Sequence, residues 1–240
     1  MRAAILAGGK GTRLQTVVND RPKPMALVGE SPFLEYLLHW LRAYGLTEVV
    51  FCVGYKWQAI YEYFRDGSQR GMHIEYSIEE RPLGTGGALK NACNLFDSTF
   101  VALNGDSYLA LDVRAMADFH SARGACATLA VSRVEDASSS GTVRFDQRGR
   151  VTGFVEKDSL AGHEVWANAG IYVLEPWTLD LLPADRASSV EYDLFPLLSQ
   201  AGMPIYAHRA QSHFLDIGTP EGYFHAQTVI PGGTGDDSQS

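Results

Sequence analysis

Gly8, Gly9 and Gly11 stand within four residues of one another, directly after the apolar run Ala3-Ala4-Ile5-Leu6-Ala7. Lys10, Arg13, Arg21 and Lys23 surround them. Glycine permits a sharp turn and removes the Cβ that would hold another group away. Backbone N–H groups in such a loop converge on a concavity that attracts anions, phosphates above all. With cations on both flanks, Leu6-Ala7-Gly8-Gly9-Lys10-Gly11-Thr12-Arg13 has the makings of a triphosphate loop. Two familiar phosphate loops do not fit. G-x-x-x-x-G-K-[ST] fails because Gly11 follows Gly9-Lys10 and Ala4 holds the place of the first glycine. G-x-G-x-x-G fails because Leu14 replaces the third glycine. Pro22-Lys23-Pro24 holds one lysine between two fixed φ angles.

Two further stretches carry candidate chemistry. Arg81-Pro82-Leu83-Gly84-Thr85-Gly86-Gly87 is a second glycine-rich loop, read as the entry to a helix beginning near Ala88. Its small residues leave backbone N–H and C=O groups open to the edge of a flat base. Asn104-Gly105-Asp106 closes a strand. A carboxylate there suits Mg²⁺, which takes one or two carboxylates with phosphate oxygens and waters. An ordinary Asn-Gly-Asp turn has the same composition.

The elements that must position these residues follow from hydrophobic period. Ala3–Ala7, Glu48–Val53, Met72–Ile78 and Thr99–Leu103 read as strands. Phe33, Leu34, Leu37, Leu38 and Leu41 recur at helical spacing, with Ser31-Pro32 read as N-cap and first helical residue and Gly45 as the stop. Further helices are expected after Gly54-Tyr55-Lys56 and over 112–123, and a strand over 126–132. The β, α, β, α, β order implies a mostly parallel sheet covered by helices, with ligands beyond the carboxyl ends of its strands. Residues 135–140 read as a loop, and 141–145 and 151–155 as a hairpin. Val165–Leu174 is a buried strand in which Gly170 marks a close approach. Thr219 is expected to cap a helix opening at Pro220.

The chain of 240 residues is enough for one sizeable core. A net charge of −8 argues against a nucleic-acid partner. It also makes the local cations at residues 10–23 stand out. Cys52, Cys93 and Cys126 are scattered without metal-like spacing and read as reduced core residues of a cytoplasmic protein. No signal peptide or membrane-spanning run is expected, and the tail from Pro231 has a disordered composition.

L-A-G-G-x-G-T-R-L followed by P-K-P-M resembles the signature of the sugar-1-phosphate nucleotidylyltransferases, which join a nucleoside triphosphate to a sugar 1-phosphate and release pyrophosphate. The resemblance covers residues 1–228. It implies a single Rossmann-like domain, α/β in class, with three α/β/α layers and a mixed, mostly parallel sheet. Residues 1–110 would bind nucleotide and 111–228 sugar phosphate, with 229–240 a disordered tail.

The resemblance also implies roles. Arg13 and the first loop would hold the leaving phosphates and Lys23 the α-phosphate. Pro82, Gly84, Thr85 and Gly86, with Asn104 and Gly105, would line the nucleotide. Glu79 or Glu80, with Glu80 preferred, would accept from the N1–H and N2–H of guanine. Asp106 and Asp216 would bind Mg²⁺. Glu156 and Lys157 would meet the sugar and its phosphate, Asn168 and Gly170 the sugar ring, and Glu191 a sugar hydroxyl, with Tyr55 and Lys56 on the same side. Gly54-Tyr55-Lys56 and the run from Pro82 to Lys90 look most like the D-glycero-α-D-manno-heptose 1-phosphate guanylyltransferases. Mannose 1-phosphate guanylyltransferases, other nucleotidylyltransferases and a non-catalytic nucleotide-sugar sensor are the alternatives. A sensor would be expected to lack one of Arg13, Lys23, Asp106, Lys157 or Asp216, and all five are present. Oligomeric state stays open, a homodimer included.

Overall fold

The computed structural model describes residues 1–14, 16–134, 141–155, 165–184, 186–212 and 214–230. The expected loop at 135–140, the pair Glu156 and Lys157, and the tail from Pro231 lie outside the described residues.

The chain runs β1 (Ala3–Ala7), β2 (Leu27–Val28), β3 (Ser31–Pro32), α1 (Phe33–Ala43), β4 (Glu48–Val53), α2 (Trp57–Phe64), β5 (His73–Ile78) and α3 (Gly84–Asn91). It continues through β6 (Phe100–Asn104), β7 (Ser107–Leu109), α4 (Val113–Ala122), β8 (Ala127–Val134), β9 (Thr142–Phe145), β10 (Val151–Val155) and β11 (Val165–Leu174). After α5 (Phe195–Gln200) come β12 (Ile205–Ala210), β13 (Phe214–Asp216) and α6 (Pro220–Val229).

In the described sheet β5, β4, β1 and β6 lie side by side and parallel. β11 then pairs antiparallel with β6 and with β8, and β12 joins β8 in parallel. The β9–β10 hairpin extends the sheet from β11. The first half is therefore all parallel and the second mixed. Alternation within strands builds a core on each face. Ala3, Ile5 and Ala7 of β1 pack with α1 and with Phe51 of β4, whereas Ala4, Val50 and Cys52 pack with Leu89 of α3 and Leu198 of α5. Helices on both faces complete the three layers expected from the sequence. Among the described residues no helix is long and apolar enough to cross a membrane.

Two local expectations change. Ser31 and Pro32 form a two-residue strand against Val28 and Leu27, so α1 begins at Phe33 with Pro32 as its uncapped leading residue. Ser31 thus lies one residue before the N-cap position, and Pro32, which holds it, has no side-chain acceptor to offer. Helix α3 begins at Gly84 rather than near Ala88. Its glycines sit under another backbone: the N–H groups of Gly86 and Gly87 donate to the Ser188 carbonyl at 2.8 and 3.1 Å. A Cβ at Gly84 would come 2.5 Å from that same oxygen.

Strand β11 shifts register between Asn168 and Tyr172. Gly170 occupies this irregularity at φ +70, and a Cβ there would lie 2.9 Å from Cγ of Asn104. The close approach expected from the sequence is thus made by a side chain at the end of β6. Gly170→Ala is expected to cost about 2 kcal/mol, combining an unfavourable φ with the displaced amide. Denaturant melts of the variant check this, and an unchanged midpoint would contradict it.

Candidate active site

The carboxyl ends of β1, β4, β5 and β6 face one rim, and a cleft of about 760 Å³ opens there. One wall is the first glycine loop, with Leu6, Ala7, Gly8, Gly9, Gly11 and Thr12 all lining it beside Lys10, Arg13 and Lys23. The opposite wall is Glu79, Glu80, Arg81, Pro82, Gly84 and Thr85. Tyr55, Asn104, Asp106 and Gly218 also line it.

Several predicted residues lie just behind these walls. Gly105 donates its N–H to the Leu6 carbonyl at 2.8 Å, so it joins the ends of β6 and β1 without lining the cleft. Gly86 is buried and turns its N–H to Ser188. The second glycine loop is therefore rich in small residues largely because residues 188–189 press against it. Lys56 donates to the carbonyls of Asn19 and Asp20 at 3.2 and 3.1 Å, away from the cleft lining. Arg21 pairs with Asp20 at 2.7 Å, so of the four clustered cations only Lys10, Arg13 and Lys23 line the cleft. Asn168, Gly170, Glu191 and Asp216 do not line it either, Asp216 lying directly behind Gly218 and Lys23.

The two aspartates come together through a small antiparallel ribbon. β7 follows Asp106, β13 ends at Asp216, and Asp216 is the register partner of Ser107. The Ile217 N–H donates to the Asp106 carbonyl at 3.0 Å. Thr219 then caps α6, its side chain accepting from the Gly222 N–H at 3.1 Å, which matches the sequence expectation. Lys23 reaches in from the other side and ion-pairs with Asp106. Its stem lies across Gly11, where a Cβ would come 2.7 Å from Cβ of Lys23. Gly218 is the residue that sequence reasoning missed. A Cβ there would lie 2.5 Å from both Asp216 Oδ1 and Lys23 Nζ, so a larger residue would push the lysine and carboxylate apart. The only signal was its place in Asp-Ile-Gly-Thr-Pro.

Burial, and next the charge of Asp106, push the Asp216 carboxyl above its usual range, while Lys23, the Gly218 N–H and Arg13 pull it down. Two carboxylates held close and incompletely neutralised fit a divalent cation. Among the described residues no group of three or more His, Cys, Asp or Glu gathers. A cation on Asp106 and Asp216 would thus complete its shell with substrate oxygens and water, as Mg²⁺ does.

Glu79 is the second fastening that the sequence left undecided between base contact and surface charge. Its side chain lies over Gly54, where a Cβ would come 2.8 Å from its Cγ, and it crowds Gly8 as well. Its Oε2 accepts from the Leu83 N–H at 3.0 Å, tying the two glycine loops together. Burial raises its carboxyl, partly offset by that N–H. A raised value means that Glu79 opposes folding once it ionises, a penalty absent at acid pH and present above the raised value. Glu79→Gln keeps an acceptor for Leu83 without the charge. Its melting temperature should therefore exceed the parent's at pH 8 and match it at pH 4. An equal difference at both pH values would contradict this.

This geometry has counterparts among known proteins. The nucleotidyl transferase family description matches residues 2–231. A D-glycero-alpha-D-manno-heptose 1-phosphate guanylyltransferase from Campylobacter jejuni is 36% identical over 227 residues, 94% of this chain and 98% of that protein. A mannose-1-phosphate guanylyltransferase from Mycobacterium tuberculosis is 40% identical over 92% of this chain, and the chain spans 62% of that relative's length. The crystal structure of HddC from Yersinia pseudotuberculosis superposes with TM-score 0.82 at 32% identity, covering 95% of this chain and 99% of that one. The same Yersinia protein has been crystallised in complex with GMP-PN. A glycine-loop wall, a lysine and paired aspartates at the rim of a parallel sheet, together with a match over nearly its whole length, place this chain in the nucleotidyl transferase family.

Proposed function

We propose that the chain transfers GMP from GTP to D-glycero-α-D-manno-heptose 1-phosphate, releasing pyrophosphate. The observation that carries the reaction class is the convergence of Lys23, Asp106 and Asp216 around Gly218 at the end of the first glycine loop. Mannose 1-phosphate is the second reading of the acceptor, favoured by the 40% identity to the Mycobacterium relative.

An oxygen of the sugar 1-phosphate attacks the α-phosphorus in line, the bond from that phosphorus to the α,β-bridging oxygen breaks, and pyrophosphate departs opposite carrying that oxygen. The nucleophile is already ionised at neutral pH, so no general base is required. What remains is alignment and charge neutralisation. The loop from Leu6 to Thr12 binds the leaving phosphates with its backbone N–H groups, and Arg13 adds charge. Lys23 stabilises the negative charge that builds on the α-phosphate. Asp106 and Asp216 would hold Mg²⁺, which when bound offsets the mutual repulsion of the two substrates. Pro82, Gly84 and Thr85 flank the base, and Glu80, exposed at the mouth, accepts from guanine. Residues 1–110 serve the nucleotide and 111–228 the acceptor, with Glu156 and Lys157 on the sugar phosphate. The setting is the cytoplasm, with nucleotide-sugar supply for a surface glycan as its use.

Pyrophosphate release measured for four nucleoside triphosphates against several sugar 1-phosphates tests the reading. GTP with the heptose 1-phosphate should give the highest kcat/KM. Preference for another base or acceptor would replace those assignments, and no release with any pair would reject the reaction.

A further inference from the structure

Behind the cleft a chain of hydrogen bonds crosses from one side to the other. The Thr85 hydroxyl, on the nucleotide wall, donates to Glu191 Oε2 at 3.0 Å and accepts from the Val190 N–H at 2.9 Å. The Ser189 hydroxyl donates to the same Oε2 at 2.7 Å. The Tyr172 hydroxyl donates to Glu191 Oε1 at 2.6 Å and accepts from Asn168 Nδ2 at 2.9 Å. Asn168 in turn takes the Gly170 N–H on its Oδ1 at 3.0 Å, and Gly170 is packed under Asn104 of the cleft lining.

A carboxylate offers about four lone-pair positions, and hydroxyl donors occupy three of those on Glu191. Glu191 is also set back from the cleft lining. A carboxylate so engaged, behind the wall, is poorly placed to read a sugar hydroxyl. Tyr172 is fully buried, and burial followed by the charge of Glu191 keeps its hydroxyl protonated, a permanent donor.

We propose that Glu191 is a positioning residue that joins the two sides of the cleft. Its carboxylate fixes Thr85 beside the nucleotide and, through Tyr172 and the amide of Asn168, holds Gly170 in place behind Asn104 of the cleft lining, on the acceptor side. The assignment rests on the function proposed above and changes one part of it: Glu191 acts on both substrates through other residues and touches neither.

Steady-state kinetics of the full chain, with both substrates varied, test the assignment. Glu191→Ala should raise the KM of the triphosphate and of the sugar phosphate about tenfold each, the worth of one charge-assisted hydrogen bond. Thr85→Val, which cuts one arm, should raise only the triphosphate KM, and Tyr172→Phe only that of the sugar phosphate. Glu191→Gln, which keeps the shape but offers a single acceptor oxygen to three hydroxyls, should raise both KM values less than Glu191→Ala. It carries the test alone if the alanine variant does not fold. A rise confined to the sugar phosphate in the Glu191 variants would make Glu191 a direct ligand and overturn the proposal, as would two unchanged KM values. Either failure would be read against an active parent enzyme, whereas failure of the underlying function would show as an inactive parent.

Discussion

Lys23→Ala is expected to lower kcat about 10²–10³-fold, the usual cost of removing one preorganised charge from a site where charge develops. The triphosphate KM should move much less, because the loop backbone, Lys10 and Arg13 still line the cleft. Lys23 is more than a surface cation. Only 9% of its side chain is exposed, its stem is laid across Gly11, and its ammonium sits between Asp106 and the Gly218 backbone. Lys23→Arg should fail to restore turnover, since the planar guanidinium is bulkier and differently shaped than an ammonium. The space beside Gly11 and Gly218 has no room for it. Single-turnover measurements separate the chemical step from binding, and a Lys23→Ala enzyme within threefold of the parent kcat would contradict the assignment.

Asp216→Asn carries the second large effect, in two opposed directions. The variant keeps an oxygen for the Gly218 N–H, which the parent carboxylate accepts at 2.6 Å. It loses the negative charge that burial and Asp106 both disfavour. Without divalent cations it should therefore melt at or above the parent temperature at neutral pH. Activity should fall about 10²–10³-fold, since metal-borne charge stabilisation is worth several kcal/mol. Addition of Mg²⁺ should raise the melting temperature of the parent and leave that of the variant nearly unchanged. A variant that is active, or that is stabilised by Mg²⁺ as strongly as the parent, would remove Asp216 from the metal site.

The parts legible in the sequence are those governed by local rules. Apolar pattern alone places β1, β4 and α1: the two strands are short continuous apolar runs buried on both faces, and α1 repeats at helical spacing along its buried face. Thr219-Pro220 announces α6 through capping chemistry. The first loop reads as a phosphate site because its glycines and cations are contiguous. What stayed hidden depends on residues distant in sequence. Gly84, Gly86 and Gly87 look like a loop for a ligand, yet the Ser188 carbonyl 100 or so positions later occupies two of their N–H groups. Glycine propensity pushed the expected start of α3 past its true first turn. Arg21 and Lys56 carry the right charge for the cleft, but each finds a nearer partner in the segment around Asp20. Gly218 acts through close packing against Asp216 and Lys23, and Glu79 through packing over Gly54 and Gly8, which no spacing rule encodes. Glu191 stands in an acidic first turn, and only the fold reveals the three hydroxyls aimed at it.

The most direct test is a crystal soaked with GTP and Mg²⁺. The triphosphate should lie along residues 8–13, with its α-phosphate beside Lys23 and electron density for an ion between Asp106 and Asp216. A triphosphate bound away from that amino-terminal loop, or an ion bound without either aspartate, would contradict the account.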